Sequence, residues 1–185
     1  VDQFSQNALK ETERLNTLVN DLLLSAKLET AYQPHLEEVN LVELIDEILQ
    51  KLKSKYPKAK FRFHKKENIL SITADKLGMT SVALNLLENA VKYAPDSPKI
   101  DIFLRRENDH INLKVADQGI GIEDKEKKRI FEKFYRVGNE DTRKTKGTGL
   151  GLYIVNEIVK AHRGKIIVED NNPKGTVFSI SLPLS

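Results

Sequence analysis

The chain has 185 residues, 39% of them hydrophobic, enough for one domain of ordinary size with its own core and a short appendage. Its 30 basic and 27 acidic side chains leave a formal charge of +3, so there is no global field of the kind that marks a nucleic-acid binder. The absence of cysteine excludes a disulfide scaffold and a thiolate zinc site, and fits a reducing compartment. No apolar run approaches the ~18 residues of a membrane span, and the N-terminus lacks a signal pattern. The chain reads as a soluble piece of a longer protein, since it starts at Val1 without an initiator Met.

Residues 1–29 contain no Gly or Pro and carry apolar side chains at Phe4, Ala8, Leu15, Leu18, Val19, Leu22 and Ala26. That spacing predicts one long amphipathic helix with a narrow, coiled-coil-like stripe interrupted by Glu11 and Ser25. A helical hairpin or bundle would cover the stripe; the alternative is that it packs only on its own domain. Tyr32, Gln33 and Pro34 end it. A helix is expected over "VELIDEILQKLKSKY", strands over "AKFRFHK" and "LSIT", and a further helix capped by Asp75 and running to Tyr93, before Pro95. "KIDIFLRR" and "HINLKVAD" alternate strongly and predict an antiparallel pair joined by "ENDH". A helix near Lys125 to Phe134, a polar loop, a helix from about Leu150 to His162, and the strands "GKIIVED" and "GTVFSISLP" complete the chain. The pattern predicts an α+β fold, a two-layer α/β sandwich in which one mixed, largely antiparallel sheet carries helices on one face.

Two glycine clusters flank a basic stretch. "DQGIGI" (117–122) leaves a strand, and "GTGLGLYIV" (147–155) opens a helix whose free N–H groups suit an anion. The spacing is neither that of a P-loop nor that of a dinucleotide fingerprint, and either cluster alone is equally well explained by tight turns. The helix ending at Tyr93 adds a third feature: "NLLENAVKYA" projects Asn85, Asn89 and Lys92 from one face of an otherwise apolar helix. A hydrogen-bonded surface network is the alternative there.

Together, "NLLENAVKYA", "DQGIGI", "FEKFYR" and "GTGLGLYIV" resemble, in order and spacing, the N, G1, F and G2 boxes of bacterial sensor histidine kinases. These kinases share a superfamily with type II topoisomerase ATPase subunits, heat-shock protein 90 and mismatch-repair ATPases. The resemblance covers residues 32–185 as a catalytic ATP-binding domain of the Bergerat fold. It makes residues 1–31 the second helix of a dimerisation and phosphoacceptor hairpin.

It also implies roles. Asn89 would offer its amide oxygen to Mg²⁺, which needs few protein ligands beside phosphate and water. Asn85 would support that site, Lys92 would neutralise phosphate charge, and Tyr93 would lie near the nucleotide. Asp117 would accept from the adenine amino group and repel the O6 acceptor of guanine. Gly119 and Gly121 would pass close to adenine. Gly147, Thr148, Gly149, Leu150, Gly151 and Leu152 would cradle the phosphates. Arg136 would contact the γ-phosphate, and the loop "RKTK", with Arg143, Lys144 and Lys146, would form the ATP lid, a solvated loop being its rival. Phe131 and Phe134 would anchor that lid.

Related hydrolases place a water-activating Glu four residues before the Mg²⁺-binding Asn. Here that position is Asn85, which cannot serve as a base near neutral pH. Glu88 lies about 100° round the helix from Asn89 and should point elsewhere. The γ-phosphoryl should therefore await a His imidazole, with positioning and charge neutralisation as the enzyme's contribution. His35, His64, His110 and His162 all lack the phosphoacceptor setting and read as linker, strand, hairpin-loop and helix-end residues. The acceptor is expected upstream of Val1, so the fragment should not autophosphorylate alone and should be monomeric or weakly self-associating. The resemblance implies as partners the upstream phosphoacceptor helix and a response regulator receiver domain. It further implies a homodimeric cytoplasmic parent, with anchoring of that parent in the inner membrane as the alternative, and no nucleic acid. An anti-sigma-type serine kinase, or a nucleotide-binding module without activity, is the alternative function.

Overall fold

The computed structural model describes residues 3–30, 32–67, 70–94, 97–138 and 147–184. Four α-helices are present among them: α1 (Gln3–Thr30), α2 (Leu41–Lys55), α3 (Lys76–Lys92) and α4 (Gly151–Ala161). The strands are β1 (Leu36–Asn40), β2 (Lys60–Lys65), β3 (Ser71–Asp75), β4 (Lys99–Glu107), β5 (His110–Asp117), β6 (Lys165–Asp170) and β7 (Thr176–Pro183).

Local chemistry sets the helix starts. Asn40 accepts from the N–H groups of Val42 and Glu43 (3.1 and 3.4 Å) and caps α2, while Asp75 accepts from Gly78 (2.9 Å) and caps α3. The strands form a five-stranded sheet in the order β2-β4-β5-β7-β6, in which only β2 and β4 run parallel. Ile100, Ile102 and Leu104, Ile111 and Val115, and Phe178 and Ile180 are buried on one face. Leu86 and Leu87 of α3 and Ile154 and Ile158 of α4 complete this core. Each such side chain contributes about 1.5–3 kcal/mol by burial, so a one-residue slip, which would expose a whole face, is forbidden.

Two expectations need correction. The predicted single sheet is accompanied by a separate antiparallel pair, β1 with β3. Its first strand, "LEEVN", has no alternating signal, because only Val39 of its five residues is buried. Second, Lys125 to Phe134 is not an α-helix but turns followed by a 3₁₀ segment, Arg129–Phe131. Its helix-forming residues are overruled by fixed points: Glu126 and Ile130 are buried, and Phe134 takes φ 64°. The stripe read along the first helix, which the hairpin reading assigns to a partner helix, is not the face that packs on this domain. Leu24, Ser25 and Leu28 pack inward while Leu15, Val19 and Leu22 remain 40–59% exposed. The predicted position of Phe4 in that stripe lies outside the described side chains. Ser25, read as an interruption, is fully buried because it belongs to the other face.

Candidate nucleotide-binding site

The sheet order places the end of β5 beside the start of β7, with Ala116 opposite Val177. Asp117 closes β5 and is 5% exposed. One carboxylate oxygen accepts from the N–H of Gly119 (2.7 Å) and from that of Thr176 (3.3 Å). Burial pushes the Asp117 carboxyl up from its ordinary pKa, and these two bonds only partly offset it. The following turn is stitched to the end of α3: Ile120 N–H donates to the Tyr93 carbonyl (3.2 Å). A Cβ at Gly119 would lie 2.6 Å from that carbonyl oxygen, so no other residue fits, and Gly121 takes φ 80°.

On α3, Asn85, Asn89 and Lys92 are half-buried along one face. Asn85 donates to the Ser81 carbonyl (2.9 Å), which turns its own oxygen toward Gly151, where an added Cβ would collide with it. Lys92 presents its ammonium to Gly147 in the same way, and that ammonium lies 5.1 Å from the Tyr93 ring centroid. The amide and ammonium groups of α3 thus face the glycines that open α4. Glu88 leaves this face altogether: it accepts from Lys55 Nζ (2.8 Å) and from the Tyr56 hydroxyl (3.5 Å).

The start of α4 is held from three sides. Gly149 takes φ 76°, and its carbonyl accepts from the N–H of Phe134 (3.1 Å). A Cβ at Gly149 would come within 2.7 Å of the Phe134 backbone. Thr148 Oγ1 accepts from Leu150 N–H (3.2 Å) and donates to Asp21 of α1 (3.2 Å). Leu150 is fully buried and Leu152 half-buried, so both serve packing. Phe131 is half-buried against the core, whereas Phe134 is 55% exposed and meets Gly149 through its backbone. Arg136 follows Tyr135, whose ring lies 4.1 Å beneath the Arg129 guanidinium and whose hydroxyl donates to Glu126. Arg143, Lys144 and Lys146 lie outside the described residues.

Three residues escaped sequence reading. Thr176 donates its N–H to Asp117, Asn171 donates its side-chain amide to the Asp117 carbonyl (2.7 Å), and Gly175 (φ 113°) lets the backbone pass against Asp117 and Gln118. Their only sequence signal is a turn, "NNPKGT". Strand pairing alone brings it to the end of β5. A separate cleft of about 250 Å³ bordered by Glu37, Glu38, Glu43 and Glu47 has the wrong charge for a phosphate.

Glycines that admit backbone to close approach, an amide and an ammonium facing the glycines that lead into a helix, and a buried carboxylate at the end of β5 suit a nucleotide with its phosphates. A family model described as histidine kinase-, DNA gyrase B-, and HSP90-like ATPase matches residues 74–185. The sensor histidine kinase WalK of Bacillus subtilis is 36% identical over 177 residues, covering 94% of this chain and 29% of WalK. Full-length ShkA, solved in complex with AMPPNP, superposes with a TM-score of 0.84 at 26% identity, over 100% of this chain and 39% of ShkA. ThkA, solved in complex with response regulator protein TrrA, gives 0.78 at 27% identity, over 100% of this chain and 51% of ThkA. This chain therefore spans under a third of the length of WalK. Among the described residues no helix is long and apolar enough to cross a membrane. The fold, the matched model and these relatives agree: the chain belongs to the histidine kinase-, DNA gyrase B- and HSP90-like ATPase family and carries the ATP-binding domain of its sensor histidine kinase branch.

Proposed function

We propose that residues 32–185 bind Mg-ATP and transfer its γ-phosphoryl group to a His on a helix upstream of Val1. Residues 1–31 are then the second helix of the dimerisation and phosphoacceptor hairpin. The observation that carries this reading is the absence of a base where hydrolysis would need one. Asn85 holds that position with its amide donated to Ser81, and the nearby carboxylate of Glu88 is engaged by Lys55. No water-activating group faces the glycines from α3, so the nucleophile must be delivered from outside.

Asn89 would hold Mg²⁺. A half-buried amide opposite the phosphate cradle suits a hard cation that takes most of its ligands from phosphate oxygens and water. The ion would neutralise phosphate charge. Lys92 would do the same from the chain itself, Asn85 would orient Gly151 and its neighbours, and Arg136 would meet the γ-phosphate. Asp117 would select adenine through its amino group. In the transfer, the bond from the γ-phosphorus to the β,γ-bridging oxygen breaks, a phosphorus–nitrogen bond forms on neutral imidazole, and ADP leaves with the bridging oxygen.

The phosphoryl group would pass on to an Asp of a response regulator, since a structural relative was solved with one. The parent would be a cytoplasmic homodimeric kinase with any membrane anchor outside this chain. An anti-sigma-type serine kinase would share the pocket, but it has no use for a 28-residue leading helix. The test mixes the chain with γ-labelled Mg-ATP and a separate protein carrying the parent's upstream helix. Acid-labile, base-stable label on that helix, lost in Asn89→Ala, is the expected result. Free phosphate with no labelled protein would make the domain a hydrolase.

A further inference from the structure

Asp75 does more than cap α3. One carboxylate oxygen accepts from Gly78 N–H, which is all that a cap requires. The other is turned to the linker behind α1 and accepts from the Tyr32 hydroxyl (3.1 Å) and from His35 N–H (3.2 Å). The backbone N–H of Asp75 donates to His162 Nε2 (2.9 Å), which fixes the proton of that buried imidazole on Nδ1, where it is donated to the Ile158 carbonyl (2.8 Å). One residue is thereby bonded to the start of α3, the end of α4 and the segment that leaves α1. These two helices carry the two faces of the nucleotide site at their other ends.

Tyr32 makes the least replaceable of these bonds. Its ring packs on the core, and its hydroxyl fills the space over Gly78, where a Cβ would lie 2.7 Å from it. Glycine within a helix costs stability relative to alanine, so its presence at 78 calls for a reason, and the Tyr32 hydroxyl supplies one. The chain leaves α1 at Thr30 and reaches Tyr32 two residues later, so a held Tyr32 pins the end of α1 close to the domain, while Asp21 to Thr148 and Glu29 to Lys133 hold the helix along its length.

We propose that Tyr32 is a positioning residue for phosphoryl transfer. Its hydroxyl, held by Asp75 above Gly78, adds the third fixed point, at the C-terminal end of α1, to the contacts of Asp21 and Glu29, and so helps to set where the helix paired with α1 presents its acceptor His to the γ-phosphate. The proposal rests on the kinase reading for its consequence, but the anchor is measurable without it. The chain has no cysteine, so Asn16→Cys on α1 and Lys165→Cys on β6, both exposed, allow two spin labels to be placed cleanly in the full chain. A narrow distance distribution is expected for the otherwise unaltered chain and a broadened one for Tyr32→Phe. Gly78→Ala, which displaces the hydroxyl while favouring the helix, should broaden it too. The double variant should be close to Tyr32→Phe alone, because phenylalanine leaves the methyl group only Ile158 Cγ2, 3.2 Å from the added Cβ, to displace by a few tenths of an ångström. In the transfer assay, Tyr32→Phe should lower kcat by about tenfold to a hundredfold with the KM for ATP unchanged, the signature of misplacement rather than of a damaged pocket.

An unchanged distance distribution overturns the proposal. So does a loss of transfer that appears as weaker ATP binding. If the unaltered chain transfers nothing to the acceptor helix yet binds ATP, the kinase reading fails, and the distance measurement alone then decides whether the anchor exists.

Discussion

Asp117 is a carboxylate held in a poorly solvated place by two backbone N–H groups, and its replacement by Asn keeps both acceptor contacts while removing the charge. Isothermal titration of Asp117→Asn should show ATP affinity reduced by about tenfold to a hundredfold, the scale of a hydrogen bond to a charged acceptor. Discrimination against GTP should narrow, since an amide can donate to O6. The unliganded variant should melt no lower than the parent chain, because ionising a group whose native pKa is raised costs folding free energy near neutral pH. Raised pKa also gives a pH signature: as pH falls, ATP affinity should decline before the ordinary value of 3.8 is reached. Gly149 invites a different test. With φ 76° and the Phe134 backbone 2.7 Å from an added Cβ, Gly149→Ala should lower stability by more than about 1 kcal/mol, read as a lower urea midpoint. A midpoint equal to that of the parent would mean that the turn between Phe134 and Gly149 yields freely.

At the scale of elements, α1 docks through a face that its composition does not advertise. Ser25 is fully exposed to neither water nor a hydrogen-bond partner among the described residues, its Oγ being buried and unsatisfied. Ser25→Ala should therefore raise stability by about 1 kcal/mol in denaturant titration, and a loss of stability would reveal a partner for that hydroxyl. Asp21 to Thr148, and Glu29 to Lys133 (2.8 Å), tie the same helix to residues on either side of the segment 139–146. The 3₁₀ segment before it shows why helix-forming residues do not suffice. Between Lys125 and Phe134 the chain must bury Glu126 and Ile130 and then reverse at Phe134, and a regular helix cannot meet all three demands.

For the whole molecule, acid stability follows from carboxylates that the fold holds ionised. Burial opposes the ionisation of Asp75, but hydrogen bonds from Gly78, His35 and Tyr32 outweigh it and hold its carboxyl below 3.8. Asp101 is held down likewise, by Arg62 and His64 against a burial cost. A depressed native pKa means stability that is present above the unfolded value and lost as pH falls through the native one. Denaturant titrations below pH ~4 should accordingly show a shallower loss with pH in Asp75→Asn than in the parent chain. An identical slope in the two would mean that Asp75 has no part in acid unfolding.

Sequence alone determined the helix start at Asp75 and the alternation of β4 and β5, because caps and half-buried strands are local signals. It determined the glycine and asparagine pattern too, since a cradle for phosphate needs residue types at short spacings. Tertiary structure decided what depends on distant partners. Only the β5 to β7 pairing brings Thr176 and Gly175 to Asp117, and only docking on α4 selects Ser25 rather than the Leu stripe as the buried face of α1. It also gave Asp75 its second oxygen's partners, Tyr32 and His35, and drew the His162 ring against its backbone. Such contacts join residues far apart in the chain, and their energies come from burial and hydrogen bonding that no local spacing encodes.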